Sequence, residues 1–112
     1  MPFIDLKTNA KVSAQQSDDL KTRLGEAITA LGKSESWLMV SVEGEKSLYF
    51  KGDAAPSAIA EISLYGRASD AQYDRMTKET TAIISEILSV PADRIYVKYE
   101  EVAHWGFGGY NF

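Results

Sequence analysis

The sequence predicts an α/β fold in which two β-α-β repeats form one four-stranded sheet with two helices on one face. Three observations predict it. Polarity alternates over four short stretches rich in β-formers, as it does in half-buried strands. Two longer stretches space their apolar residues as helices do. Finally, Leu31–Glu43 can be laid without a gap on Leu88–Glu100, so that the helix-end leucine and the alternating strand coincide.

The first strand runs from Pro2 to Lys7, and Thr8–Lys11 is a loop. A helix begins near Ser13 or Ser17, both good N-caps, with Asp18 and Asp19 near the positive end of the dipole. Leu20, Leu24, Ala27, Ile28 and Leu31 share its inner face, and Gly32 stops it. Trp37–Glu43 reads as the second strand, with Leu38, Val40 and Val42 on one face. Leu48–Phe50 is a candidate short strand, and Gly52–Pro56 a loop. The pattern then restarts with a strand over Ser57–Tyr65, a turn at Gly66–Ser69 and a helix over Asp70–Leu88. In that helix Met76, Thr80, Ile83, Ile84, Ile87 and Leu88 point inward. Pro91–Asp93 closes it, and Arg94–Glu101 is the last long strand.

This is one domain, residues 1–112, internally duplicated at about 1–56 and 57–112, and each crossover is expected to be right-handed with parallel strands. No helix remains to cover the second sheet face or the edges. Leu48–Phe50 and Trp105–Phe107 suit the extension of a neighbour's sheet, so the expectation is an oligomer with closed cyclic symmetry.

Composition narrows the function. The net charge of −4, without a basic run, argues against nucleic acid. The absence of cysteine excludes disulfides, zinc–thiolate sites and thiol redox chemistry. The start carries Asp5 and Lys7 and does not read as a signal peptide, and no apolar stretch approaches the roughly 20 residues that span a bilayer. The expected location is the cytoplasm, and any release would be without a signal peptide.

Pro2 is the first candidate for chemistry. Proline is small enough for ordinary removal of the initiator methionine, which would leave a secondary amine on the backbone. An α-amine has a reference pKa of about 7.7–8.0, and burial lowers it. A base poised near working pH is what proton transfer requires. A retained Met1 would make this nitrogen a tertiary amide, which is no base.

Pro2, the Gly32–Lys33 pair at the first helix end and Asp93–Val97 at the last strand together resemble the macrophage migration inhibitory factor family, which includes D-dopachrome tautomerase. The resemblance spans essentially the whole chain. It implies a homotrimer with three active sites at subunit interfaces and keto–enol tautomerisation of phenylpyruvate-like or dopachrome-like compounds, without a cofactor. Residue by residue, it makes Pro2 the catalytic base and Lys33 the group that binds a substrate carboxylate. Lys33 also has an ordinary explanation, as a cation offsetting the helix dipole for about 0.3–1 kcal/mol.

Tyr65 stands where the family typically has an aliphatic residue whose backbone meets the substrate. Tyr96, and with it Phe107, would be an aromatic wall supplied by a neighbouring subunit. Lys98 replaces a frequent asparagine and is either a second cation favouring acidic substrates or a solvated surface residue. Trp37 is a rim residue or a strand-start core residue, and Trp105 is a further tail contact. The glycines of the Trp105–Phe112 tail are no phosphate loop, because no helix follows. His104 has no acidic or metal partner in the pattern. Where some family members carry Cys-x-x-Cys, this chain has Ser57–Ala60.

The expected partners are therefore a small aromatic or enol-acid substrate and two further copies of the chain, with a receptor-type protein as a further candidate. Two rivals stay open: a cytokine-like binding module with a vestigial pocket, and another proline-amine reaction such as hydration or decarboxylation of a small acid.

Overall fold

Ser13 and Ser69 start the two long helices in the same way. Each hydroxyl accepts from the backbone N–H three residues on, and Gln16 or Gln72 reaches back to the cap N–H. Such reciprocal capping satisfies two donors that a helix end otherwise leaves bare. A computed structural model describes all 112 residues. Its elements are β1 (Pro2–Thr8), α1 (Ala14–Ala27), β2 (Met39–Glu43), β3 (Ala58–Tyr65), α2 (Asp70–Leu88), β4 (Ile95–Val102), β5 (Gly106–Phe107) and β6 (Tyr110–Asn111).

The main sheet has the order β2-β1-β3-β4, with β1 parallel to β2, β3 parallel to β4 and the central pair antiparallel. Two β-α-β units thus meet along β1 and β3. Even-numbered residues of those strands, Ile4, Leu6, Ala60 and Ile62, are buried in one core with Leu20, Leu24 and Ile28 from the first helical segment and Met76 and Ile84 from α2. Fully burying each of the isoleucine, leucine and methionine side chains contributes about 1.5–3 kcal/mol. No helix is long and apolar enough to cross a membrane.

Several local expectations are corrected. The first helix does not run on to Leu31. It ends at Ala27, a 3₁₀ turn covers Ile28–Leu31, and Gly32 closes it in the left-handed region at φ 71°. Trp37 is not in the second strand. Ser34 caps a 3₁₀ turn over Glu35–Trp37, and pairing begins only at Met39. Leu48–Phe50 is not a strand either. Its segment is tied down by long-range side chains. Asn9 donates to the carbonyls of Leu48, Ala54 and Ala55, and Arg94 donates to those of Phe50, Ala55 and Pro56 while pairing with Asp53 at 2.8 Å. Trp105–Phe107 contributes β5, but within one chain β5 pairs with β6 as a small hairpin.

The sheet face away from the helices is neither bare nor apolar at its centre. Ser41, Asp5, Glu61 and Lys98 stand side by side across all four strands. Lys7 bridges the two carboxylates, at 2.8 Å from Asp5 and 3.0 Å from Glu61, and Lys98 reaches Glu61 at 3.3 Å. These bonds pull the Glu61 carboxyl below its ordinary range, Lys7 contributing most, and the hydrogen bond to Asp5 pushes the Lys7 ammonium up.

Candidate active site

Above that charged row the same face turns apolar. Phe3 pairs with Met39 on one side and Ser63 on the other, and paired residues share a face. They belong to a cleft of about 720 Å³ at the start of β1, which Met1, Pro2, Trp37, Trp105 and Phe107 also line. A volume of that size holds a small organic ligand. Trp37 and Phe107 meet edge to face with centroids 5.1 Å apart, closing one wall.

Beside this cleft, backbone and side chain converge on one residue. The Tyr65 N–H donates to the Met1 carbonyl at 2.9 Å, extending the β1–β3 ladder by one bond. The Lys33 ammonium donates to the Tyr65 carbonyl at 3.0 Å. Gly32 makes this reach possible by turning the chain sharply after the helical segment. The ring of Tyr65 packs at 5.9 Å on Phe112, so the tail returns to the same residue. With Met1 in place the chain's amine lies on Met1. Burial lowers its pKa, and the nearby Lys33 cation lowers it further.

Of the eight residues singled out from the sequence, Pro2, Trp37, Trp105 and Phe107 line the cleft, and Lys33 and Tyr65 adjoin its Met1 end. Trp37 is a half-exposed rim residue, not a core residue. Phe107 lies on the wall of its own chain's cleft. Tyr96 and Lys98 are elsewhere. Tyr96 pairs with Ile59, five residues along β3 from Pro2's partner Leu64, a separation of about 16 Å. There it packs edge to face on Phe50 at 4.9 Å, and Lys98 faces Glu61. Sequence reasoning missed Phe3, Met39, Ser63 and Phe112. Strand alternation would have put the first three on one face, but only the register puts them side by side.

A sequence model of the macrophage migration inhibitory factor family matches residues 1–111. The chain belongs to this family. It is 24% identical to the macrophage migration inhibitory factor homolog of Brugia malayi and 25% identical to the factor of Rattus norvegicus, in each case over 100% of this chain and 99% of the relative. Among solved structures it is similar to Leishmania major MIF2, with a TM-score of 0.95 and 29% identity over 100% of this chain and 97% of the other. The homologue from Prochlorococcus marinus superimposes with a TM-score of 0.90 at 25% identity, covering 98% of each chain. Membership supports a tautomerase or cytokine-like role in general terms.

Proposed function

We propose that, once Met1 is removed, the protein is a cofactor-independent keto–enol tautomerase of aryl-substituted keto acids with the Pro2 amine as its base. One observation carries this proposal: Tyr65 links the Met1 carbonyl, through its N–H, to the Lys33 ammonium, through its C=O. Removal of Met1 would expose the Pro2 nitrogen and release the Tyr65 N–H in one event. An oxygen of the substrate would then take the place of the Met1 carbonyl, within reach of that N–H and of Lys33.

The chemistry follows from those groups. The neutral Pro2 amine takes a proton from the carbon beside the carbonyl, and the electron pair moves onto the carbonyl oxygen as an enolate. Donors placed where that charge develops lower the barrier. Protonation of the oxygen gives the enol, and the reverse sequence returns the ketone, so no electrons are exchanged. Lys33 binds the substrate carboxylate and disfavours the protonated amine, keeping the base free near neutral pH. Trp37, Trp105 and Phe107 enclose the aryl group.

In this proposal Tyr96 and Lys98, too far from their own Pro2, complete the cleft of an adjacent copy in a homotrimer. Intact mass followed by a phenylpyruvate tautomerase assay tests the function. Loss of Met1 with turnover that Pro2→Gly abolishes is the expected result. A processed chain inactive on a panel of enol acids would overturn it and favour a protein-binding module.

A further inference from the structure

The loop that follows Tyr65 is tied down by a bridge of groups that the proton transfer does not use. Gly66, at φ 85°, turns the chain out of β3, and its N–H donates to the Val102 carbonyl at 3.1 Å. Two residues on, the Ala68 N–H donates to the Tyr73 phenol oxygen at 3.3 Å. That phenol in turn donates to the Glu101 carboxylate at 2.6 Å. Tyr73 lies in the first turn of α2, and Glu101 precedes Val102 at the end of β4. One oxygen therefore joins the loop, the helix start and the strand end. The Tyr73 ring is fixed separately, packed at 4.6 Å on Tyr99, whose phenol donates to the Tyr73 carbonyl. Burial, and then the bond to Glu101, push the Tyr73 pKa up, so the phenol remains a donor at neutral pH.

The bridge matters because of what processing removes. Tyr65 is held on the β1 side by its N–H bond to the Met1 carbonyl, and loss of Met1 breaks that bond. The end of β3 then keeps only its β4 side, where the Gly66–Val102 bond closes the pairing. The Gly66 N–H and the Tyr65 carbonyl belong to one planar trans peptide and point in opposite directions. Holding that N–H on Val102 therefore aims the Tyr65 carbonyl at Lys33. We infer that Tyr73 and Glu101 are positioning residues, which hold the Tyr65–Gly66 peptide in place after Met1 is lost and so keep Lys33 and the Tyr65 N–H directed at the bound acid. The inference rests on the substrate placement proposed above, though not on the identity of the base.

The test compares the processed wild type with Tyr73→Phe, Glu101→Ala and Glu101→Gln in two measurements. These are amide hydrogen exchange by NMR and calorimetric binding of 3-phenylpropanoate, an unreactive acid. Tyr73→Phe keeps the packed ring and removes only the hydroxyl, and Glu101→Gln keeps an acceptor. Tyr73→Phe and Glu101→Ala are expected to exchange the Gly66 amide about tenfold faster and to bind the acid about three- to tenfold more weakly. Glu101→Gln is expected to stay closer to the wild type in both. Faster exchange with unchanged affinity would reduce the bridge to a structural tie and overturn the inference. Unchanged exchange in Tyr73→Phe, no rescue by Glu101→Gln, or failure of the wild type to bind the acid would overturn it as well. Because neither measurement needs turnover, the expected pattern in a protein without Pro2-dependent activity would place the fault in the base assignment alone.

Discussion

Lys33 and Tyr65, 32 residues apart in the chain, are joined by an ammonium–carbonyl hydrogen bond of 3.0 Å beside the amino terminus. The bond uses one of the three ammonium donors and fixes where the other two point. A keto-acid carboxylate bound there would gain a charge-assisted contact, worth more than a neutral one. Lys33→Met is therefore expected to raise KM for phenylpyruvate roughly ten- to hundredfold, with a smaller effect on kcat. Steady-state kinetics on the processed protein checks it. An unchanged KM would return Lys33 to the role of a helix-end cation.

The same cation sets a pH dependence. Burial and Lys33 together lower the pKa of the Met1 amine. In the proposed mechanism the Pro2 amine exposed by processing stands beside the same cation and acts as the neutral base, so kcat/KM is expected to decline as pH falls through its pKa and the amine is protonated. Removing the cation removes one of the two causes, so Lys33→Met is expected to move this acid limb to higher pH. The measurement is a kcat/KM profile of both proteins from pH 5 to about 9. A limb that stays in place would mean that Lys33 is not felt at the amine after processing.

On the open sheet face, Lys7 separates two carboxylates that stand side by side, Asp5 and Glu61. Glu61 is held below its ordinary pKa, so the folded state binds its proton less readily than the unfolded chain does. The associated stability is present above the unfolded carboxylate value and is lost as pH falls through the lowered one. Lys7→Met is expected to lower the melting temperature most near neutral pH and least in acid. Thermal melts across pH 3–7 would show it, and an equal loss at every pH would point to packing of the lysine stem instead.

Much of this fold was legible because each long element carries its own pattern. Ile4 and Leu6, or Leu20 and Leu24, announce their buried faces through spacing alone. What escaped depended on distant partners. Leu48–Phe50 has the composition of a strand, yet Asn9 and Arg94 take its carbonyls and a loop results. Trp37 continues an alternating pattern, but the Ser34 cap spends three residues on a turn before pairing starts. Pro2 and Lys33 were singled out through family resemblance. Ser63 was not, because a serine in a strand signals nothing until register sets it against Phe3.

Arg94 offers a test of that long-range control. Its guanidinium, with only 12% of the side chain exposed, holds three backbone carbonyls and Asp53, and lies 5.3 Å over the Phe50 ring. Arg94→Ala would leave those acceptors short of donors and remove a packed stem. The expected cost is about 2 kcal/mol in chemical denaturation, together with new proteolytic cleavage between residues 48 and 56. A variant of unchanged stability that resists proteolysis there would show that Asn9 alone secures the loop.

The separation of Tyr96 from Pro2 leads to the most decisive prediction. If Tyr96 serves the cleft of an adjacent copy, Pro2→Gly and Tyr96→Ala damage different sites in a mixed assembly. A Pro2→Gly subunit still supplies an intact Tyr96, and a Tyr96→Ala subunit still supplies an intact Pro2. Hybrids formed by co-expression would contain some cleft with both residues, and their activity is expected to exceed that of either parent alone. Were the two residues to act within one chain, every site in the hybrid would lack one of them and nothing would be recovered. Differently tagged subunits, purified in two affinity steps and assayed with phenylpyruvate, separate the two cases. Mass measurement of the same sample reports the number of copies, so a failure to recover activity in a confirmed hybrid would count against Tyr96 and not against assembly.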